Sequence, residues 1–183
     1  MQESTDEQLA TEAQGGSQPA LTALFRRYTD RLVRYAMSIV KSGDEANDVV
    51  QESFIKAYRN LQSFDVKRKF SSWMYRIVHN EAMNHIRKEK RRPWISLEAD
   101  TLFPHPASTE PDPHEEQERL GDAEEIRAVL AKIPEKYREV VELRYIEEFS
   151  YEEIADILTI PKSTVGVRLS RAKTEMKKYI FHE

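Results

Sequence analysis

An all-α chain of two small helical domains, joined by a Pro-rich acidic linker, is predicted from three observations. Apolar residues recur at helical spacings of three and four on both sides of a central stretch, and no β-rich segment competes with them. Five of the eight prolines fall between Pro93 and Gly121, mixed with Ser, Thr, Asp and Glu, a composition that sustains neither helix nor sheet and buries little. Charge follows the same division. Residues 1–19 carry −4, residues 20–92 carry +8, residues 93–125 carry −9 and residues 126–183 carry +1, so the net −4 of the 183-residue chain hides a basic domain followed by an acidic tether. The predicted boundaries are residues 1–92, 93–121 and 122–183.

A short, weak helix near residues 5–13 ends at Gly15-Gly16. Leu21, Leu24, Phe25, Tyr28, Leu32, Tyr35, Ala36 and Ile39 then form the apolar stripe of a long helix terminated by Gly43. Asp44 is placed to cap the next helix, whose stripe is Ala46, Val49, Val50, Phe54, Ala57, Tyr58 and Leu61. A loop from Ser63 to Lys69 leads into a helix with Phe70, Trp73, Met74, Ile77 and Val78 inward, which ends in a basic run from Arg87 to Arg92 before Pro93.

The second domain reads as four helices. The first runs from about Ala123 to Ile133 and is stopped by Pro134; the second runs from Glu135 to about Ile146, partly burying Val140, Val141, Leu143 and Tyr145. Ser150-Tyr151-Glu152-Glu153 is a capping-box pattern that starts the third, with Ile154, Ala155 and Leu158 inward. Pro161 suits the first turn of the fourth, whose buried stripe is Val165, Leu169, Ala172 and Met176. A tight break between two short helices is the spacing of a helix-turn-helix. Its outward face presents Ser163, Val167, Ser170 and Arg171, flanked by Thr164, Gly166, Arg168 and Lys173. Hydroxyls near a helix N-terminus suit phosphate, and Arg can donate two parallel hydrogen bonds to guanine.

The segment from Phe64 to Arg92 is chemically different, interleaving aromatic rings with Lys, Arg and Asn. Rings beside cations suit unpaired bases, every one of which offers a stacking face. Asn80, Asn84 and Arg87 share one polar face that can follow a strand, and the loop Asp65–Lys69 can form a pocket for one extruded base.

Other chemistries find little support. No apolar run is long enough to span a membrane, and the acidic start MQESTDEQLATEAQ is no secretory signal. The absence of cysteine removes disulfides, thiol catalysis and Cys-ligated zinc, and fits a cytoplasmic protein. No Gly-rich phosphate loop, metal-ligand cluster or nucleophile–base pairing is visible, so neither a cofactor nor an enzymatic activity is expected. His79 and His85 are six apart, not the four a shared metal favours, and His105 and His114 lie in the linker.

DEANDVVQESFIKAYRNL (Asp44–Leu61), FDVKRKFSSWMYRIVHN and the helix-turn-helix, in this order and spacing, resemble a bacterial RNA polymerase sigma factor of the extracytoplasmic-function group. The resemblance implies that Asp48, Gln51 and Glu52 bind the coiled coil of the polymerase's largest subunit, with the flap as a second docking point on the core enzyme. It implies a −10 promoter surface made of Asp65, Val66, Lys67, Arg68, Lys69, Phe70, Ser71, Trp73, Arg76, Asn80, Asn84, Arg87 and Lys88. The −35 element would be met by Ser163, Thr164, Gly166, Val167, Arg168, Ser170, Arg171 and Lys173. The linker would thread through the polymerase, and an anti-sigma factor would hold the chain inactive. Gly166-Val167 departs from the common pattern, since many relatives have Lys or Arg followed by Ser there. The alternative is a stand-alone helix-turn-helix regulator, which leaves the aromatic–basic segment and the Asp48 face without a task.

Overall fold

The structure, a computed structural model, describes residues 4–91 and 128–180; the predicted linker lies outside the described residues. Among these, only helices and turns occur. α1 (Asp6–Gln14) begins with a capping box between Thr5 and Gln8. α2 (Gln18–Val40) is capped by Ser17, with Pro19 in its first turn, and ends on Lys41 in the left-handed region at φ 64°. The stop therefore precedes the predicted Gly43. Ser42, not Asp44, caps α3 (Gly43–Asn60): its hydroxyl accepts the Glu45 N–H at 3.5 Å. Asp44 and Glu45 instead occupy the first turn, where the helix dipole favours carboxylates.

A 3₁₀ turn (Leu61–Ser63) and a loop lead to α4 (Phe70–Arg91). These four helices close one core around Leu24, Leu32, Tyr35, Val49, Phe70, Met74, Tyr75 and Val78, all at most 2% exposed. Tyr58, predicted inward, is 55% exposed. Phe54 stacks on Phe25 at the edge of the stripe, and Ala57 and Leu61 take the core side of the next turn.

In the second domain, helical residues 128–132 (α5) precede α6 (Glu135–Val141), which widens into a π-helical turn (Glu142–Ile146). The predicted single α-helix from Glu135 to Ile146 is thus corrected. The Glu147 N–H reaches back to Glu142 and the Phe149 N–H to Leu143, and the widened turn carries Tyr145 into solvent instead of the core. α7 (Tyr151–Leu158) and α8 (Lys162–Ile180) complete the domain, packing through Ile154, Ile157, Leu158, Val165, Leu169 and Ala172.

The second domain rests on the first, α7 along α4 and α6 against α2. The buried Glu147 carboxylate accepts from Arg31 Nε at 3.2 Å, from Arg31 Nη2 at 3.0 Å and from the Tyr75 hydroxyl. Phe149 meets the Tyr75 ring edge-on, centroids 4.9 Å apart.

This contact collects titratable groups of both signs. Burial, with Glu135 adding and Arg168 and Arg138 opposing, pushes Glu139 up to about 7. Burial, opposed by the Ser38 hydroxyl and Arg138 and reinforced by Glu147 and Glu139, does the same to Glu142. His79, hydrogen-bonded to the Tyr35 hydroxyl at 3.2 Å, is lowered to about 4 by burial and by Arg168. A carboxyl raised in the fold contributes stability that is complete below its ordinary pKa and lost as pH climbs through the folded value. A lowered histidine does the reverse, losing stability as pH falls from its ordinary value toward 4. Two carboxyls outweigh one imidazole, so the denaturant midpoint is expected to fall between about pH 5 and pH 7. In Glu139→Gln/Glu142→Gln, where His79 remains, it should rise over that interval. A wild-type midpoint that climbs would contradict this assignment.

Candidate nucleic-acid interface

The loop before α4 is shaped by Asp65. Its carboxylate accepts the Lys67 N–H at 3.0 Å and its carbonyl accepts the Arg68 N–H at 2.9 Å. This tight turn leaves Asp65, Lys67, Arg68 and Lys69 exposed, with Val66 half-buried against the core. Beneath it lies an aromatic stack. Phe64 and Trp73 stand 4.9 Å apart, and Phe70 lies 5.6 Å from each.

Phe70 is fully buried and its N–H donates to Glu7 at 3.3 Å. It therefore supports the loop from below, whereas the sequence reading expects it in the binding set. Trp73, half-exposed, presents the accessible ring. With Arg68, Lys69, Ser72 and Arg76 it lines a cleft of about 240 Å³, whose far wall is Glu152, Glu153 and Asp156 of α7. Ser71 is half-buried, next to Ser72, which donates to Glu153 at 3.4 Å.

Farther along α4, Asn80, Asn84 and Arg87 are exposed on one face, as their spacing requires. Lys88, also exposed, turns the other way. It lines a groove of about 360 Å³ between α3 and α4 with Asp48, Glu52, Lys56, Glu81 and His85. Lys56 and Glu81 form an ion pair in this groove. Asp48, Gln51 and Glu52 are exposed on α3. The sets expected to meet polymerase and the −10 element thus occupy different faces of the first domain, and Lys88 stands beside the former.

In the second domain the capping box forms as expected: the Glu153 carboxylate accepts the Ser150 N–H at 2.7 Å, and the Ser150 hydroxyl accepts the Glu153 N–H at 3.3 Å. Thr159, left-handed at φ 54°, makes the turn. The Thr164 N–H closes onto the Pro161 carbonyl at 2.9 Å to start α8. Ser163, Val167, Ser170, Arg171 and Lys173 are exposed, while Thr164, Gly166 and Arg168 are half-buried. Arg168 leans toward the domain contact, close enough to His79 and Glu139 to bias both. Arg171 is exposed on the outward side of α8.

The fold does not demand a glycine at 166. A Cβ there would meet only Tyr151 Cε2, at 3.8 Å, in ordinary contact. Tyr151, at the start of α7, is 37% exposed, and the Arg144 guanidinium stands 5.9 Å from its ring centroid. Tyr151 and Arg144 stand beside the empty position on the outward side of the helix-turn-helix, and the spacing of the sequence assigns neither of them to a binding face. The readable signal was an aromatic residue on the solvent side of a capped helix.

The profile of "Sigma-70 region 2" matches residues 24–92, and that of "Sigma-70, region 4" matches residues 123–176. The Bacillus subtilis protein "ECF RNA polymerase sigma factor SigW" is 34% identical over 170 residues, covering 90% of this chain and 91% of its own. The chain belongs to the extracytoplasmic-function sigma factors. "ECF RNA polymerase sigma-E factor" of Escherichia coli is 38% identical to this sigma factor over 177 residues, 92% of this chain and 91% of the relative. Among solved structures, CnrH in complex with the cytosolic domain of CnrY superposes with a TM-score of 0.69 at 27% identity, covering 96% of each chain. The matched regions of the sigma factor contain every residue that the sequence reading expects to meet DNA or polymerase.

Proposed function

We propose that this sigma factor binds core RNA polymerase through Asp48, Gln51 and Glu52 and divides promoter recognition between its two domains. The first domain, through residue 92, takes the −10 element. Trp73 stacks on an unpaired base in the cleft, Lys67, Arg68, Lys69 and Arg76 neutralise phosphates around it, and Asn80, Asn84 and Arg87 follow the strand. The second, from residue 122, lays α8 against the −35 duplex, with Arg171 reaching base edges and Ser163, Thr164 and Lys173 anchoring phosphate. Tyr151 and Arg144 are added to that face beside Gly166. The chain acts in the cytoplasm, lends specificity to the polymerase and performs no catalysis of its own. An anti-sigma factor is a further partner, supported by the CnrH structure, in which a relative is held by a second protein.

The observation that carries this reading is the pairing, in one chain, of an aromatic–basic cleft suited to unpaired bases with a helix-turn-helix suited to duplex. A stand-alone regulator has use only for the second. Reconstituted transcription from a random promoter library tests it: the chain with core polymerase should enrich two spaced elements. Arg171→Ala should lower affinity for the upstream element about tenfold while leaving core binding intact. A chain that fails to co-elute with core polymerase would sink the proposal.

A further inference from the structure

α8 gives up helical stability at one position without a packing reason. Glycine inside a helix is less favourable than alanine, because its bare backbone loses more freedom on folding. Gly166 lies within α8, and its φ is not positive, unlike that of Gly16. A Cβ there would touch the Tyr151 ring at 3.8 Å, without a clash. Neither backbone conformation nor crowding inside the protein therefore requires the missing side chain. Its absence leaves an open notch on the outward side of the helix-turn-helix. Two apolar groups border it: the Tyr151 ring, and Val167, the next residue along the helix, 51% exposed.

The charged donors around this notch are engaged elsewhere. Lys162, in the first turn of α8, is paired with Glu152. Arg168 leans toward His79 and Glu139. The Arg144 guanidinium donates to the Phe149 carbonyl at 3.0 Å and faces the Tyr151 ring. Arg171 comes more than a full turn after Gly166. The notch thus presents carbon to whatever enters it.

In the major groove guanine offers two acceptors, adenine and cytosine each offer an amino group, and thymine alone offers a methyl. Polar base edges buried in an apolar notch would lose their hydrogen bonds to water without replacement, whereas a methyl gains from leaving water. We propose that Gly166, Val167 and Tyr151 form a seat for the C5 methyl of one thymine in the −35 duplex. The missing Cβ at 166 lets the helix backbone come close enough to hold it.

This rests on the −35 reading of α8, and it divides that face by chemistry. Arg171 supplies hydrogen bonds to base edges, and the preceding turn reads a methyl. Burying one methyl changes affinity roughly fourfold. That biases one base of the element, while phosphate contacts supply most of the binding.

The test uses the full chain bound to core polymerase. Duplexes are selected from a promoter library randomised across the upstream element. Each thymine of the selected upstream element is then replaced in turn by deoxyuridine, which removes the methyl and keeps every hydrogen-bonding group. At one thymine the replacement should lower affinity roughly three- to fivefold. Val167→Ser, at an exposed position, should leave the denaturant midpoint nearly unchanged and abolish the difference between thymine and deoxyuridine at that base. Gly166→Ala should raise the midpoint, since alanine favours the helix and its Cβ meets no clash. It should nevertheless weaken binding to the thymine duplex and shrink the same difference. A selected element without thymine, thymines that are all indifferent to loss of the methyl, or variants that keep the full preference would overturn the proposal. Arg171→Ala separates it from the reading beneath. If that variant binds the upstream element more weakly while no thymine responds, the −35 reading stands and the methyl seat falls. If neither Arg171→Ala nor randomising the upstream element changes affinity, both fall.

Discussion

Replacing Asp48 and Glu52 together by alanine is expected to weaken binding to core polymerase by about 2–5 kcal/mol, a loss of roughly thirtyfold or more. The two carboxylates stand one turn apart on α3 and line the groove that Lys56, Glu81, His85 and Lys88 complete. A basic partner helix seated there would desolvate them, and a desolvated charge left without its counter-ion costs several times more than an exposed pair contributes. Both side chains are exposed in the free chain, so the double variant should unfold at the wild-type midpoint. Competition against a labelled wild type for limiting core enzyme reads the effect directly. An unchanged competition curve would remove this face from the docking surface.

The second large effect is expected at Phe70. This ring is fully buried, tilted against Tyr28 with centroids 5.6 Å apart, and in contact with Phe64 and Trp73. Phe70→Ala should cost about 3–5 kcal/mol of folding stability, from lost transfer free energy and the cavity left behind. The denaturant midpoint should fall with little change in slope. Because Phe70 backs Trp73, promoter opening should fall as well, measured as permanganate reactivity in the melted region. Phe70→Leu distinguishes support from contact. It retains most of the buried volume, so it should recover much of both stability and opening. A leucine variant that is stable yet as defective in opening as alanine would return Phe70 to the binding surface.

Much of this arrangement was legible because periodicity and capping are local. The stripes from Leu21 to Ile39 and from Val165 to Met176, and the Ser150–Glu153 box, depend on spacing alone, and spacing survives any tertiary context. Helix ends were less legible. Lys41 stops α2 by adopting a left-handed conformation that nothing in its chemistry announces, and Ser42 displaces Asp44 as cap because it stands two residues nearer the stop.

The individual roles of the site residues depended on third dimensions that a helical wheel lacks. Asp65 to Lys69 could be placed on a loop, but whether Phe70 faced the ligand or the core was decided by the rings of Phe64 and Trp73. Lys88 and Arg87 are adjacent in sequence and serve different faces. Arg168 and Arg171, neighbours on the wheel, part company because Arg168 lies near His79 of the first domain. Tyr151 and Arg144 join the proposed reading face only because of the open space beside Gly166, which no spacing rule announces.

The widened turn from Glu142 to Ile146 has a consequence for how such chains can change length. A π-helical turn accommodates one residue more than the α-helix around it. Deleting a single residue there would let α6 continue as regular helix, and because the wide turn absorbs the extra residue, everything that follows would leave the helix near its present angle. Glu147 would still reach Arg31 and Tyr75, Phe149 would still meet Tyr75, and the helix-turn-helix would hold its direction. A residue added to the regular part of α6 would instead turn all that follows by about 100°, so this turn is the point at which the chain can change length by one codon without rebuilding either half.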